Sequence, residues 1–89
     1  MSTVAERFAA NLRAARKEAG ISQEELGFRA DLHRNQVGSL ERGKRLPRID
    51  SLAKLCGALE IEYAVLMAGI YWTQPTLPGG GFGVATAER

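Results

Sequence analysis

The sequence has little of the chemistry that catalysis, metal binding and disulfide bonding require. It contains one cysteine and one histidine in 89 residues. A single thiol, Cys56, cannot form an internal disulfide or a multi-thiolate metal site, so we expect no metal and a reducing, cytoplasmic location. A single imidazole, His33, does not supply a catalytic triad with a partner base at a suggestive spacing. We therefore expect neither enzymatic activity nor a cofactor.

Long apolar runs are also missing. The longest uninterrupted run, Tyr63 to Trp72, has ten residues, whereas a membrane-spanning helix needs about twenty. The chain starts with a charged amphipathic stretch and not with the apolar core of a signal peptide. Its composition, 45% hydrophobic and 25% charged, is typical of one small folded domain. We expect a protein of the cytosol with no membrane partner.

Negative charge is scarce in one part of the chain. The whole sequence has a net charge of only +2, but residues 29–48 contain two acidic residues and six basic ones. The basic residues are Arg29, Arg34, Arg42, Lys44, Arg45 and Arg48. Such a local excess favours a face that binds a polyanion such as nucleic acid. The alternative is a solvated surface helix and loop.

Apolar residues at helical spacing predict a series of short helices. The first stripe runs from Ala5 to Ala19 and is followed by Gly20, a residue that commonly ends helices. Ser22, with Glu25 at the third helical position, predicts a capping box at the start of a second helix. A third helix is expected from near His33 and is stopped by Gly43.

The second half of the chain predicts two more helices and a tail. A fourth helix is expected after Pro47, with its inward face formed by Ile49, Leu52, Ala53, Leu55, Cys56 and Leu59. A fifth surrounds Tyr63 to Met67. We expect residues 1–70 to form the domain and the glycine- and proline-rich residues 71–89 to form a tail. In that part, Ile70–Thr73 and Phe82–Val84 are candidates for a short β-hairpin or arm, with a disordered end as the alternative.

The order of these segments resembles a known family. Two helices of about eight residues joined by a short turn have helix-turn-helix geometry. From Arg13 to Leu66 the sequence is similar to the phage-repressor-like (Cro/repressor, or XRE) DNA-binding domains, in four matching stretches: Gly20–Leu26, Val37–Arg45, Pro47 and Leu52–Ile61. The resemblance implies an all-α, five-helix lambda-repressor-like fold. It also implies a homodimer that binds a palindromic operator in double-stranded DNA.

The resemblance assigns DNA contacts to particular positions. It implies that the start of the third helix enters the major groove and that bases are read by Arg34, Asn35, Gln36 and Ser39. This agrees with hydrogen-bonding chemistry, because Arg pairs with guanine while Asn and Gln pair with adenine. Phosphate contacts are implied for Ser22, Gln23, Arg42, Lys44, Arg45 and Arg48. The alternative for the third helix is a polar face in solvent.

Other positions are assigned structural roles. The resemblance implies a partly buried ion pair between Arg16 and Glu41 that fixes the recognition helix. Gly27, where alanine is usual, indicates tight packing of the second helix on the third. At His33 a helix cap and a phosphate contact are both open. The candidate dimer interface, away from the basic segment, comprises Tyr63, Leu66, Met67, Ile70, Trp72 and Phe82. Of these, Leu66 and Ile70 are also expected to complete the monomer core.

Three functions are compatible with this interpretation. The first is a small dimeric transcriptional regulator, acting as a repressor or autoregulator. The second is a restriction-modification controller, a type that Leu32–Arg34 and Gly38–Gly43 resemble. The third is an antitoxin whose tail binds a toxin. Genes next to the coding sequence would discriminate between them.

Overall fold

The computed structural model describes residues 3–85. Within that range the chain forms five helices followed by a two-stranded antiparallel sheet. The elements are α1 (Val4–Ala19), α2 (Gln23–Ala30), α3 (Arg34–Glu41), α4 (Ile49–Leu59), α5 (Tyr63–Leu66), β1 (Ile70–Thr73) and β2 (Gly81–Val84). The predicted five-helix fold with a short C-terminal hairpin is confirmed. None of these helices has the length and apolar character needed to cross a membrane.

The ends of the first two helices follow local sequence signals. At the start of α1 the Thr3 hydroxyl accepts from the Glu6 amide, while the Glu6 carboxylate accepts from the Thr3 amide. At the start of α2 the Ser22 hydroxyl accepts from the amide of Glu25. The reciprocal half of the predicted capping box is absent, because the Glu25 carboxylate accepts from Arg29, one turn further along the helix. An i, i+4 ion pair therefore replaces the second cap bond.

The core lies where the helices meet. Six large side chains are completely enclosed there: Phe8, Leu12, Leu26, Val37, Leu55 and Leu66. Cys56 is buried with them, as its sequence context predicts. Burial, with a smaller contribution from the charge of Glu62, raises the pKa of the Cys56 thiol, so the thiol stays protonated near neutral pH.

Two residues assigned to the inward face of α4 are exposed, so that part of the prediction is wrong. Ile49 is 78% exposed, and Ala53 one turn later is also exposed. The periodicity of α4 continues to its first turn, but that turn borders an open groove that no element within residues 3–85 fills. Ala53 lies at the edge of a second groove beside α5.

The hairpin has a defined register and an apolar side. Ile70 pairs with Val84 and Trp72 pairs with Phe82, so these four side chains share one face. The Trp72 and Phe82 rings meet edge to face, with centroids 5.0 Å apart. On the other face the Tyr71 ring covers Gly83, where any Cβ would overlap it.

Two polar side chains of α1 fasten the hairpin to the helical domain. The Arg7 guanidinium donates to the carbonyl oxygens of Ala68 (3.2 Å) and Ala85 (2.8 Å), one before β1 and the other after β2. The Asn11 amide donates to the carbonyls of Leu66 and Ala68, both at 2.9 Å. The same helix therefore holds both strands of the hairpin at its open end, opposite the turn.

Candidate nucleic-acid interface

The turn between α2 and α3 depends on a glycine. Asp31 ends α2 in the left-handed region, with φ of 57°. The following residues pass so close to α2 that a Cβ at Gly27 would lie 2.6 Å from the Leu32 carbonyl oxygen and 3.4 Å from the Arg34 amide nitrogen. The tight packing predicted at Gly27 is confirmed, and its contacts are with the turn and the first residue of α3. This close approach sets the angle between the two helices.

The first turn of α3 is capped by side chains that bond reciprocally. The His33 imidazole Nδ1 accepts from the Asn35 amide at 3.0 Å, and the Gln36 side-chain oxygen accepts from the His33 amide at 2.9 Å. His33 is therefore the N-cap residue of α3. The cap holds the side-chain oxygen of Gln36 against the main chain, so the NH₂ group is the end of this side chain that is freest to reach a base. Paired recognition of adenine uses both groups of an amide.

The remaining candidate base-reading side chains lie along the exposed side of α3. Arg34 and Asn35 are exposed at its start, and Ser39, one turn after Asn35, is half-buried. Within residues 3–85 no hydrogen bond or ion pair engages the Arg34 guanidinium or the Asn35 side-chain amide. The first turn of α3 thus presents donors and an acceptor to the surroundings.

The loop after α3 carries positive charge with little compensation. Arg42, Lys44, Arg45 and Arg48 are all exposed. In the described part of the chain, the acid nearest any of them is Asp50, 3.8 Å from Arg48, and both of these side chains are largely in solvent. Because an exposed pair at this distance is weak, the loop retains its charge. The Arg42 guanidinium folds back over Gly38, where a Cβ would lie 3.0 Å from Nη1.

Behind the exposed side of α3, a buried carboxylate joins three helices. The Glu41 side chain is 2% exposed and accepts two bonds from Arg16 of α1, from Nε at 2.6 Å and from Nη2 at 3.0 Å. It also accepts from Gln23 Nε2 of α2 at 3.0 Å. Hydrogen bonding to Glu41 raises the pKa of Arg16 above its already high ordinary value. The Arg13 guanidinium donates to the Glu41 main-chain carbonyl as well.

This network also fixes a candidate phosphate ligand. Gln23 is placed at the start of α2 with its NH₂ group turned toward Glu41. One of its two N–H donors bonds to the carboxylate, and the other is left for a different acceptor. The sequence did not suggest this contact, because residues 23 and 41 have no pattern in common and meet only through the packing of α2 on α3.

The structure separates the residues predicted to form a dimer interface. Leu66 is fully buried in the core of its own chain, so its assignment to an interface is wrong. Met67, Ile70 and Phe82 line one apolar groove, and Trp72 packs on Phe82. Tyr63 lines a different groove between α4 and α5. The residues predicted to form one interface thus lie on two separate surfaces, and one of them, Leu66, lies in the core.

The fold and this surface define a small helix-turn-helix protein with an exposed recognition helix beside a basic loop. The sequence model of the helix-turn-helix family HTH_3 matches residues 12–66. Because this match covers more than half of the chain, the protein belongs to that family. The match ends at Leu66, before the hairpin.

Individual relatives include controller proteins and a gene regulator. Control protein C.BamHI of Bacillus amyloliquefaciens is 38% identical over 45 residues, which cover 51% of this chain and little more than half (56%) of that protein. The restriction-modification controller C.AhdI of Aeromonas hydrophila is 40% identical, with a TM-score of 0.68 over 70% of this chain and 94% of that one. The clp gene regulator ClgR of Corynebacterium glutamicum is 27% identical, with a TM-score of 0.70 over 75% and 87% of the two chains.

Proposed function

We propose that this protein binds a specific site in double-stranded DNA and regulates transcription, as a repressor or autoregulator. The observation that carries the proposal is that α3 exposes Arg34 and Asn35 in its first turn and leads directly into the exposed basic loop of residues 42–48. The first turn of α3 offers groups that can read bases, and the basic loop offers positive charge that can bind phosphates. Residues 1–70 form the DNA-binding domain, and residues 71–89 act as a dimerisation arm.

In the proposed complex α3 lies in the major groove. Arg34 donates two hydrogen bonds to guanine O6 and N7, and Asn35 pairs with N6 and N7 of adenine. Ser39 reaches a base one turn further along. Gln36 contributes mainly its NH₂ donor as long as its oxygen caps α3. Glu41 holds the back of α3 through Arg16, so the register of these contacts depends on the buried ion pair.

Phosphate binding comes from two elements beside α3. The first is the basic loop with Arg42, Lys44, Arg45 and Arg48, whose charges release counterions from the DNA. The second is the start of α2, where the first amides after Ser22 meet a phosphate together with the remaining N–H of Gln23. These contacts orient the protein on the duplex but contribute little to the choice between DNA sequences.

Two copies are expected on each operator. A single recognition helix reads too few base pairs for useful specificity, so the proposal requires a homodimer on a palindromic site with half-sites about 34 Å apart. No cofactor or catalytic activity is part of the proposal, and its compartment is the cytoplasm, where the DNA is.

The specific role favoured by the relatives is control of a restriction-modification system, since the controller C.AhdI aligns along 94% of its length at 40% identity. The antitoxin alternative stays a prediction, with its toxin bound at the hairpin. Purification of the protein with its native neighbours discriminates between them, because only an antitoxin retains a stoichiometric small partner.

The decisive experiment is selection of bound fragments from the native genome, followed by affinity measurement on the recovered sequence. We expect one palindromic sequence to be enriched upstream of a promoter, and Arg34→Ala and Asn35→Ala to lose preference at one position of each half-site. Lys44→Ala and Arg45→Ala are the matched controls, because they weaken all duplexes alike. Recovery of random fragments, with no shared sequence, would contradict sequence-specific binding.

A further inference from the structure

The hairpin forms one wall of an apolar groove on the helical domain. The groove has a volume of about 350 Å³ and lies between the first turns of α1 and α4 and the hairpin. No charged side chain lines it, and its walls include Val4, Leu46, Ile49, Met67, Ile70 and Phe82. The lining includes Leu46 and Pro47 of the basic loop, but none of the loop's basic side chains and no residue of α3.

The rim of this groove exposes large apolar side chains. Ile49 is 78% exposed, Phe82 is 69% exposed and Trp72 is 56% exposed. Each of the two aromatic rings leaves roughly 100–150 Å² in solvent. With Leu46 and Met67, which are also exposed, the patch reaches several hundred square ångströms. That is the size of the largest patches on monomers, and such patches are often functional.

The exposed rings are held in place before any partner arrives. Trp72 and Phe82 support each other edge to face, and Arg7 fastens the backbone on both sides of the hairpin. A partner therefore does not have to order the hairpin when it binds, which removes a main cost of association.

We propose that a second copy of this chain covers the groove, with the Trp72–Phe82 pair of each copy packed against Leu46, Pro47 and Ile49 of the other. This inference rests on the proposed function, because two half-sites require two copies. It names the surface that joins them. A two-fold interface uses the same patch on both copies, so the patch must complement itself, with a projecting part and a recess. Here the exposed Trp72 and Phe82 rings project, and the groove beside them is the recess.

Charge and area favour the same occupant. A second copy carries the same basic loop, so two copies meet most readily on a surface without charge, and no charged side chain lines this groove, with Arg48 beside it pointing into solvent. The exposed apolar patch, several hundred square ångströms, is a large part of the roughly 800 Å² that each partner buries in an interface of standard size.

Sedimentation equilibrium of the full chain tests the proposal, with four serine variants, one of which, Tyr63→Ser, alters the groove between α4 and α5. Ile49→Ser and Phe82→Ser remove groove side chains, and Leu77→Ser is the control because Leu77 is exposed on the hairpin turn, outside the groove. We expect the wild type to dimerise at micromolar concentration. The dimer dissociation constant rises at least about tenfold in each groove variant and is unchanged in the control. Circular dichroism should be the same for all, since each replaced side chain is about half exposed or more.

Several outcomes would overturn the inference. A monomeric wild type would do so, as would groove variants that dimerise like the wild type. A loss of dimer confined to Tyr63→Ser would assign the interface to the groove between α4 and α5. The proposed function fails by a separate measurement, namely absence of any binding of the wild type to duplex DNA at low salt. That binding depends on the basic loop of each copy and does not require Ile49 or Phe82.

Discussion

Replacement of Arg16 by methionine should be among the most destabilising single changes on the surface between α1 and α3. Arg16→Met keeps the length of the side chain but leaves the Glu41 carboxylate, 2% exposed, with Gln23 as its one side-chain donor in the described structure. Breaking a buried pair in this way costs about 3–5 kcal/mol. A chain of this size has a total stability of about 4–12 kcal/mol, so a large part of it is lost. The midpoint of thermal unfolding should fall by at least about 12 °C.

A double-mutant cycle isolates the cause of this loss. In the variant with both Arg16→Met and Glu41→Leu, no charge is left buried, so it should be more stable than Arg16→Met alone. Arg29→Met is the matched control, since Arg29 pairs with Glu25 at 2.8 Å but both side chains are nearly half exposed. The control should lose less than about 1 kcal/mol. Urea unfolding monitored by circular dichroism measures all five proteins: the wild type, Arg16→Met, Glu41→Leu, the double variant and the control.

The reasoning is refuted if Arg16→Met costs no more than Arg29→Met. It is refuted as well if the double variant is no more stable than Arg16→Met. Either result means that water or a rearranged side chain satisfies Glu41 at little cost, and that the pair does not fix α3.

Three further predictions concern α3, the basic loop and the turn. Arg34→Ala should weaken operator binding by about 1–3 kcal/mol and relax the preference at one base pair per half-site, measured by fluorescence anisotropy on operator variants; unchanged specificity would contradict a base contact. Lys44→Ala should weaken operator and random duplex equally and lower the slope of log K against log salt by about one, whereas a loss confined to the operator would mean that Lys44 reads bases. Gly27→Ala should destabilise the fold by about 1–3 kcal/mol in urea, because its Cβ would lie 2.6 Å from a backbone carbonyl. Gly57→Ala, with nothing within 4 Å, should instead stabilise α4 by about 0.5–1 kcal/mol. Equal changes in stability for Gly27→Ala and Gly57→Ala would show that the space around each glycine does not determine the effect of the substitution.

Local signals in the sequence were sufficient for the order of the elements. Gly20 and Ser22 predicted the boundary between α1 and α2 because helix ends depend on the conformation of one residue and one side-chain bond. The tight turn at Gly27 was predictable from the position, where the resemblance makes alanine usual and a glycine lowers helix propensity. Ile49 was assigned incorrectly because periodicity gives the direction of a side chain and does not say whether another element covers it.

Contacts between distant segments were beyond the reach of the sequence. The bonds from Arg7 to the carbonyls of Ala68 and Ala85 span more than sixty residues, and an arginine in an amphipathic helix usually lies in solvent. The contact between Gln23 and Glu41 has the same character. The family resemblance implied a phosphate contact for Gln23, and that assignment stays a prediction. What the structure adds is the partner that orients its amide.

One helix connects the two surfaces of the molecule. The first half of α1 bonds to the hairpin through Arg7 and Asn11, and its second half bonds to the end of α3 through Arg13 and Arg16. Sixteen helical residues extend about 24 Å. Helix α1 is therefore a rigid spacer of fixed length between the hairpin and the recognition helix. If two copies join through their hairpins, the length of α1 sets the distance between their recognition helices. An operator whose half-sites are moved apart by a few base pairs should then lose the second contact completely, because the protein has no joint between these surfaces with which to follow the DNA.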